Sequence, residues 1–188
     1  VIHDVAIQKL HVVLCLDRGG LVGEDGATHH GAFDLAFFGC IPNLTVAAPM
    51  DELELRNLMY TALQGDMPFA IRYPRGTGTG IRWRGQQFES LPTGRGRKLR
   101  DGSGTAVVTI GTVGNFAAEA IARAAAEGIV DAAHYDLRFA KPLDEEMLHE
   151  IGGRFRRVIT VEDGILRGGV GEAVTAFFNR HGYAVKVR

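Results

Sequence analysis

No apolar run in this sequence approaches the ~20 residues that a helix needs to cross a bilayer. A surplus of one charge is also missing, since 21 Lys and Arg stand against 22 Asp and Glu. That balance gives no electrostatic reason to expect nucleic acid or an anionic membrane as partner. Cysteine is scarce. The two present, Cys15 and Cys40, lie in apolar or aromatic stretches and read as small core residues in a reducing, cytoplasmic compartment. There is no initiator Met, signal peptide or helix-start signal at the front. Val1, Val5 and Ile2 share one helical face, as the tail of a helix would, and AVKVR at the other end reads as a strand with nothing after it. The expectation is a fragment, cut at both ends.

What is present is 188 residues with 46% hydrophobic and 23% charged content, enough for one ordinary domain or two small ones with a real core. HVVLCLD (11–17), LTVAAP (44–49) and PFAIRYP (68–74) are strand-length apolar runs, of the kind covered on both faces. Between the last two, Leu55, Leu58, Met59 and Ala62 recur at helical spacing. Asp51, Glu52 and Glu54 suit that helix's positive N-terminus. Residues 77–104 are rich in Gly, Arg, Gln and Ser and read as a linker, with a short strand near IRWRG. A second alternation follows: TAVVTIGT, an Ala-rich helix over 115–128, VDAAHYDLRF, the helix PLDEEMLHEIGGRF, RRVITVED, the helix GGVGEAVTAFFNRHG and YAVKVR. The expected fold class is α/β: two doubly wound, largely parallel-sheet domains at 1–76 and 105–188.

Chemistry concentrates in GEDGATHHG (23–31). It follows a strand, at the carboxyl edge where open α/β sheets bind ligands. Gly23, Gly26 and Gly31 permit unusual backbone angles and close approach of a ligand. Asp25, His29 and His30 offer metal ligands. But adjacent side chains on an extended chain point apart, and no second Cys/His cluster lies nearby. Two acids inside the loop disfavour a phosphate cradle built from its backbone. Proton transfer or hydroxyl recognition by an imidazole beside a carboxylate fits better. Arg18 ends one strand, and Arg72 and Arg75 end another; such guanidinium forks suit a phosphate or carboxylate. The residues alone choose neither between the histidines nor between Arg72 and Arg75. The glycines of VEDGILRGGVGEAV (161–174) lack dinucleotide spacing and read as a tight turn packing a helix on a sheet. In KPLDEEML, Pro142 and Asp144 mark a helix start. His3, His11, His134, His149 and His181 read as structural or exposed.

LDRGGLVGEDGATHHGAFDLAF, IPNLTVAAPMDELELRNLMYTAL, FAIRYPRG, DLRFAKPLDEEML and ITVEDGILRGGVGEAV together resemble the 1-deoxy-D-xylulose-5-phosphate synthase family. These are transketolase-like enzymes dependent on thiamine diphosphate. The resemblance runs from Val1 to Arg188. It implies a partial pyrimidine-binding domain followed by a transketolase C-terminal domain. It implies condensation of pyruvate, with loss of CO2, and glyceraldehyde 3-phosphate, for isoprenoid, thiamine and pyridoxal synthesis. By resemblance, Arg18 and Arg75 hold the acceptor's phosphate, while His29 and Asp25 face the substrate, His29 as the catalytic residue. The G-D-G…N motif that holds diphosphate and Mg2+ in the family does not occur in these residues, nor does the family's activating glutamate. The chain is thus expected to carry half an active site, to be inactive alone and to form a homodimer when complete. An exposed edge is expected on the first sheet. The alternatives are a subunit of another transketolase-like thiamine enzyme and a non-catalytic dimerisation module.

Overall fold

Two sheets carry the chain, and one strand crosses between them. The computed structural model describes residues 1–188. In the first sheet, β1 (Val13–Leu16) pairs in parallel with β3 (Phe69–Arg72), and β3 with β2 (Thr45–Ala47). Helix α2 (Glu52–Gln64) links β2 to β3; Asp51 caps it by accepting the Glu54 N–H at 2.8 Å. The central β3 is buried throughout. β1 lies at the sheet edge, with a neighbour on one side only, and none of its residues is fully buried.

The second sheet has the order β4 (Arg97–Arg100), β6 (Ala132–Asp136), β5 (Thr105–Thr109), β8 (Arg157–Val161), β9 (Lys186–Val187). All of its pairings are parallel except β4 with β6. Helices α3 (Val113–Ala126), α4 (Glu145–Arg154) and α5 (Val170–Arg180) make the connections. The architecture is the expected α/β fold with largely parallel sheets.

Four local expectations need correction. VDAAHYDLRF is two strands rather than one. It breaks at Arg138, whose φ is +58°, and its second half, β7 (Phe139–Lys141), pairs antiparallel with β2 of the first sheet. A continuous apolar run carries no information about which sheet each half will join. The strand near IRWRG does not form; the segment's strand is β4, further along. HVVLCLD is not covered on both faces: no residue of β1 is fully buried, and Cys15 is exposed. Cys40, immediately after helix α1 (Asp34–Gly39), is exposed too. The six residues of α1 are too few for helical periodicity to show in the sequence.

The 23 residues of the main core come from both units, from Leu35, Phe38 and Val46 to Tyr135, Leu148, Phe155 and Phe178. A second cluster of 7 packs α2 against the other face of the first sheet. It includes Leu91 from the linker and Phe139 from β7. The linker itself is strapped along α2. Glu52 accepts the Gly80 N–H at 2.8 Å, Arg56 donates to the Trp83 and Gln87 carbonyls at 2.7 Å each, and Thr61 Oγ1 accepts the Leu91 N–H at 2.7 Å. These bonds satisfy the linker's irregular backbone without a strand partner.

Candidate active site

β1 and β3 run side by side in parallel, so the segments that follow them leave the sheet at the same edge. Arg18 follows β1 with φ +61°, a left-handed conformation costly for a side chain of its size. Its Nε donates to Asp25 Oδ2 at 2.8 Å, and its Nη1 is paired with Asp17. Arg75, beyond β3, donates to the other oxygen, Asp25 Oδ1. Asp25 is therefore held between the two guanidinium groups, on a loop built of two short turns, Gly23–Asp25 and Ala27–His29. Arg18 Nη2, Arg75 Nε and Arg75 Nη2 make no hydrogen bond within the chain, and Arg75 is half exposed. Two cations with spare planar donors at one sheet edge suit a phosphate dianion.

The two histidines differ. His30 Nδ1 accepts the Val22 N–H at 3.2 Å, which leaves its ring proton on Nε2 and spends the side chain on bracing the loop. His29 is exposed; its Nδ1 lies 3.0 Å from Thr28 Oγ1, and its Nε2 has no partner in the chain.

The strand-end arginines differ as well. Arg72 is buried inside the molecule, 3% exposed, between Asp34 of α1 and Asp163 beyond β8. It is spent on internal contacts and does not reach the surface beside Asp25 and Arg75.

The glycine-rich turn before α5 is filled from within. Glu162 accepts the Val170 and Gly171 N–H groups at 3.0 Å each, so this helix N-terminus already holds an anion. No group of three His, Cys, Asp or Glu side chains stands close enough to hold a metal ion. The turn before α5 thus has its first N–H groups taken by Glu162, and Asp25, His29 and His30 do not converge as a set of three metal ligands. Asp144 caps α4, accepting the Met147 N–H at 3.0 Å.

Sequence reasoning missed a second polar cluster between the units. Glu54 accepts from Arg97 at 3.1 Å and from Arg138; Asp136 accepts from Arg97 Nε at 3.1 Å and from the Arg138 N–H at 3.2 Å. Asp136 and Arg138 do sit at the carboxyl end of a strand, the signal that singled out Arg18. Burial, then the charge of Glu54, pushes the Asp136 carboxyl up to about 7, while Arg97 and Arg138 pull it down. In the unfolded chain an Asp titrates near 3.9, roughly. The folded state therefore binds this proton more tightly. The resulting stabilisation is full below about pH 4 and is lost as pH rises through about 7. Asp136→Asn, neutral and still an acceptor, should flatten the fall in stability across that window, by at most about 1.4 kcal/mol per pH unit. Urea midpoints of parent and variant at several pH values measure it; parallel curves would refute the assignment.

The family model for the transketolase pyrimidine-binding domain matches residues 1–79, and that for the transketolase C-terminal domain matches residues 94–188. The chain belongs to the transketolase family. It is 59% identical over its whole length to a protein of Bacteroides fragilis named 1-deoxy-D-xylulose-5-phosphate synthase. A Chlorobaculum tepidum protein of the same name is 50% identical over 95% of the chain. The chain spans 29% of the first relative's length and 28% of the second's. Among solved structures it resembles a chain titled "Split gene transketolase, inactive beta4 tetramer", with a TM-score of 0.86 and 28% identity. That match covers 99% of this chain and 59% of the other. No helix of the chain is long and apolar enough to cross a membrane.

Proposed function

We propose that this transketolase-family chain is part of a synthase that condenses pyruvate, with loss of CO2, and glyceraldehyde 3-phosphate to 1-deoxy-D-xylulose 5-phosphate. The product feeds isoprenoid, thiamine and pyridoxal synthesis. The observation that carries the reading is the convergence of Arg18 and Arg75 on Asp25, beside the exposed His29. Identity along the whole chain with proteins of that name supports the choice of substrates.

In this reading Arg18 and Arg75 turn their spare donors to the phosphate of the acceptor aldose. Asp25 keeps both guanidiniums in place and accepts an acceptor hydroxyl. His29, through the free side of its ring, delivers a proton to an oxygen of the reacting substrates. Thiamine diphosphate and Mg2+ are held by parts of the full-length protein outside these residues, in a homodimer. A second reading has one specific support, the likeness to a split-gene transketolase chain: this chain is then one subunit of a thiamine enzyme that pairs with a separately encoded partner.

The test supplies pyruvate and glyceraldehyde 3-phosphate to the full-length protein and, separately, to the 188 residues alone. The full-length protein should form product and the isolated chain none. His29→Ala should leave KM nearly unchanged and lower kcat by about 100-fold. Turnover by the isolated chain would overturn the half-site reading, and no product from the full-length protein would overturn the synthase reading.

A further inference from the structure

Arg72 has no place in the substrate contacts just proposed, yet it makes more polar contacts than any residue that does. Its Nε donates to Asp34 Oδ2 at 2.9 Å. Its Nη1 pairs with the Asp163 carboxylate, and its Nη2 donates to the Gly31 carbonyl at 3.0 Å and the Asp163 carbonyl at 3.2 Å. Those partners come from separate parts of the fold: the N-terminus of α1, the end of the site loop, and the turn after β8 in the second unit. All are held by a side chain rooted in the central strand of the first sheet.

The site loop meets this guanidinium at both ends. Gly19 lies flat against it; a Cβ there would stand 2.7 Å from Arg72 Nε. Gly31, the other end, supplies the carbonyl that Nη2 binds. The two ends also close on each other. The Gly20 N–H donates to the Gly31 carbonyl at 3.0 Å, and the Gly31 N–H donates to the Gly20 carbonyl at 2.9 Å and the Arg18 carbonyl at 3.0 Å. A Cβ on Gly20 would strike the Asp163 carboxylate, and one on Gly31 would strike the Arg18 carbonyl. Glycine is required at this neck for close approach of backbone to the Arg72–Asp163 pair. Residues 21–30, with Asp25 and His29, hang from the neck and make few other ties to the body of the protein.

We propose that Arg72 and Asp163 form a positioning pair that fixes the neck of the Arg18–Gly31 loop and makes the placement of His29 and Asp25 depend on the docking of the second unit. The claim deepens the proposed function and rests on it only for the meaning of His29 and Asp25. A lysine at position 72 keeps the charge but, lacking the planar fork, cannot serve Asp34, Asp163 and Gly31 at once. An asparagine at 163 keeps the shape and removes the charge.

The test compares Arg72→Lys and Asp163→Asn with the parent in two ways. Amide hydrogen exchange on the 188-residue chain should rise at least about 10-fold at Gly20, Asp25, His29 and Gly31, with β5 and β8 unchanged. In the full-length protein, kcat should fall by about 30- to 100-fold, while KM for pyruvate stays within about threefold; displacement of a catalytic group by an ångström costs that much. Unchanged loop exchange in both variants overturns the proposal. So does a uniform rise that includes β5 and β8 in both variants, which would make the pair a stability element only. If loop exchange rises but the parent forms no product from these substrates, the synthase reading fails and the positioning pair stands.

Discussion

Replacing Arg75 with alanine in the full-length protein should raise KM for glyceraldehyde 3-phosphate by about 10- to 100-fold, and replacing Arg18 as well should bring the total near 1,000-fold. A charge-assisted hydrogen bond contributes about 1.5–3 kcal/mol, and each kcal/mol is worth roughly a factor of five. Arg75 is half exposed, which favours the lower end for that residue. Because Arg18 has φ +61°, asparagine is the better replacement there; it tolerates the left-handed region and keeps backbone strain out of the result. Asp25 would then lose both cations. At 18% side-chain exposure it retains contact with water, so the loop should survive the double change. The control is unphosphorylated glyceraldehyde, for which parent and variants should behave alike. Equal losses on both aldehydes would mean that the arginines shape the loop rather than bind phosphate, and no loss on either would remove them from the site.

The second large effect concerns the shared core. Phe155→Ala should lower unfolding stability by about 3–5 kcal/mol, the usual cost of emptying a fully buried aromatic site. That is a large part of the roughly 5–15 kcal/mol typical of a domain. Phe155 is 1% exposed, and its ring meets that of Tyr135 edge-on at 6.3 Å. It lies in the second unit, but the 23-residue core it joins continues into the first. The chain should therefore unfold in one transition. The chain's one tryptophan, Trp83, sits on the linker strapped to α2 of the first unit, and its fluorescence reports that end. Fluorescence and far-ultraviolet circular dichroism should share a midpoint, and Phe155→Ala should move both together. A fluorescence midpoint that stays in place while part of the dichroism signal shifts would show two independently folding units.

Much of the candidate site was legible because its signals are local. A strand-length apolar run followed by glycines and a charged side chain marks the carboxyl edge of a parallel sheet, and Arg18, Asp25, His29 and Arg75 all sit in such places. The division of labour between neighbours was not legible in the residues themselves; only the family resemblance chose His29 and Arg75. His29 and His30 are adjacent in sequence and chemically identical. They separate only because the Val22 N–H, on the other arm of the loop, binds His30. Arg72 and Arg75 look alike until Asp34 and Asp163, 38 and 91 positions from Arg72, draw one of them into the interior. In the cluster of Glu54, Arg97, Asp136 and Arg138, two members carry the strand-end signal, but nothing local joins them to Glu54 and Arg97.

Readable along the chain were the alternation of strands and helices, the parallel character of the sheets, the family, and which charged side chains end the strands of the first sheet. The alternation, the sheets and the strand ends follow from periodicity, glycine placement and capping residues, which act over a few positions, whereas the family follows from the resemblance of longer stretches such as GEDGATHHG. Only the tertiary structure decided that β7 leaves its own sheet to pair with β2, that the linker lies fixed along α2, and that one core serves both units. It also left Cys15 in the open rather than in the core. Each of these depends on which surfaces meet across dozens of residues, where the free energy lies in burial and in pairing backbone groups, and no local pattern records the partner.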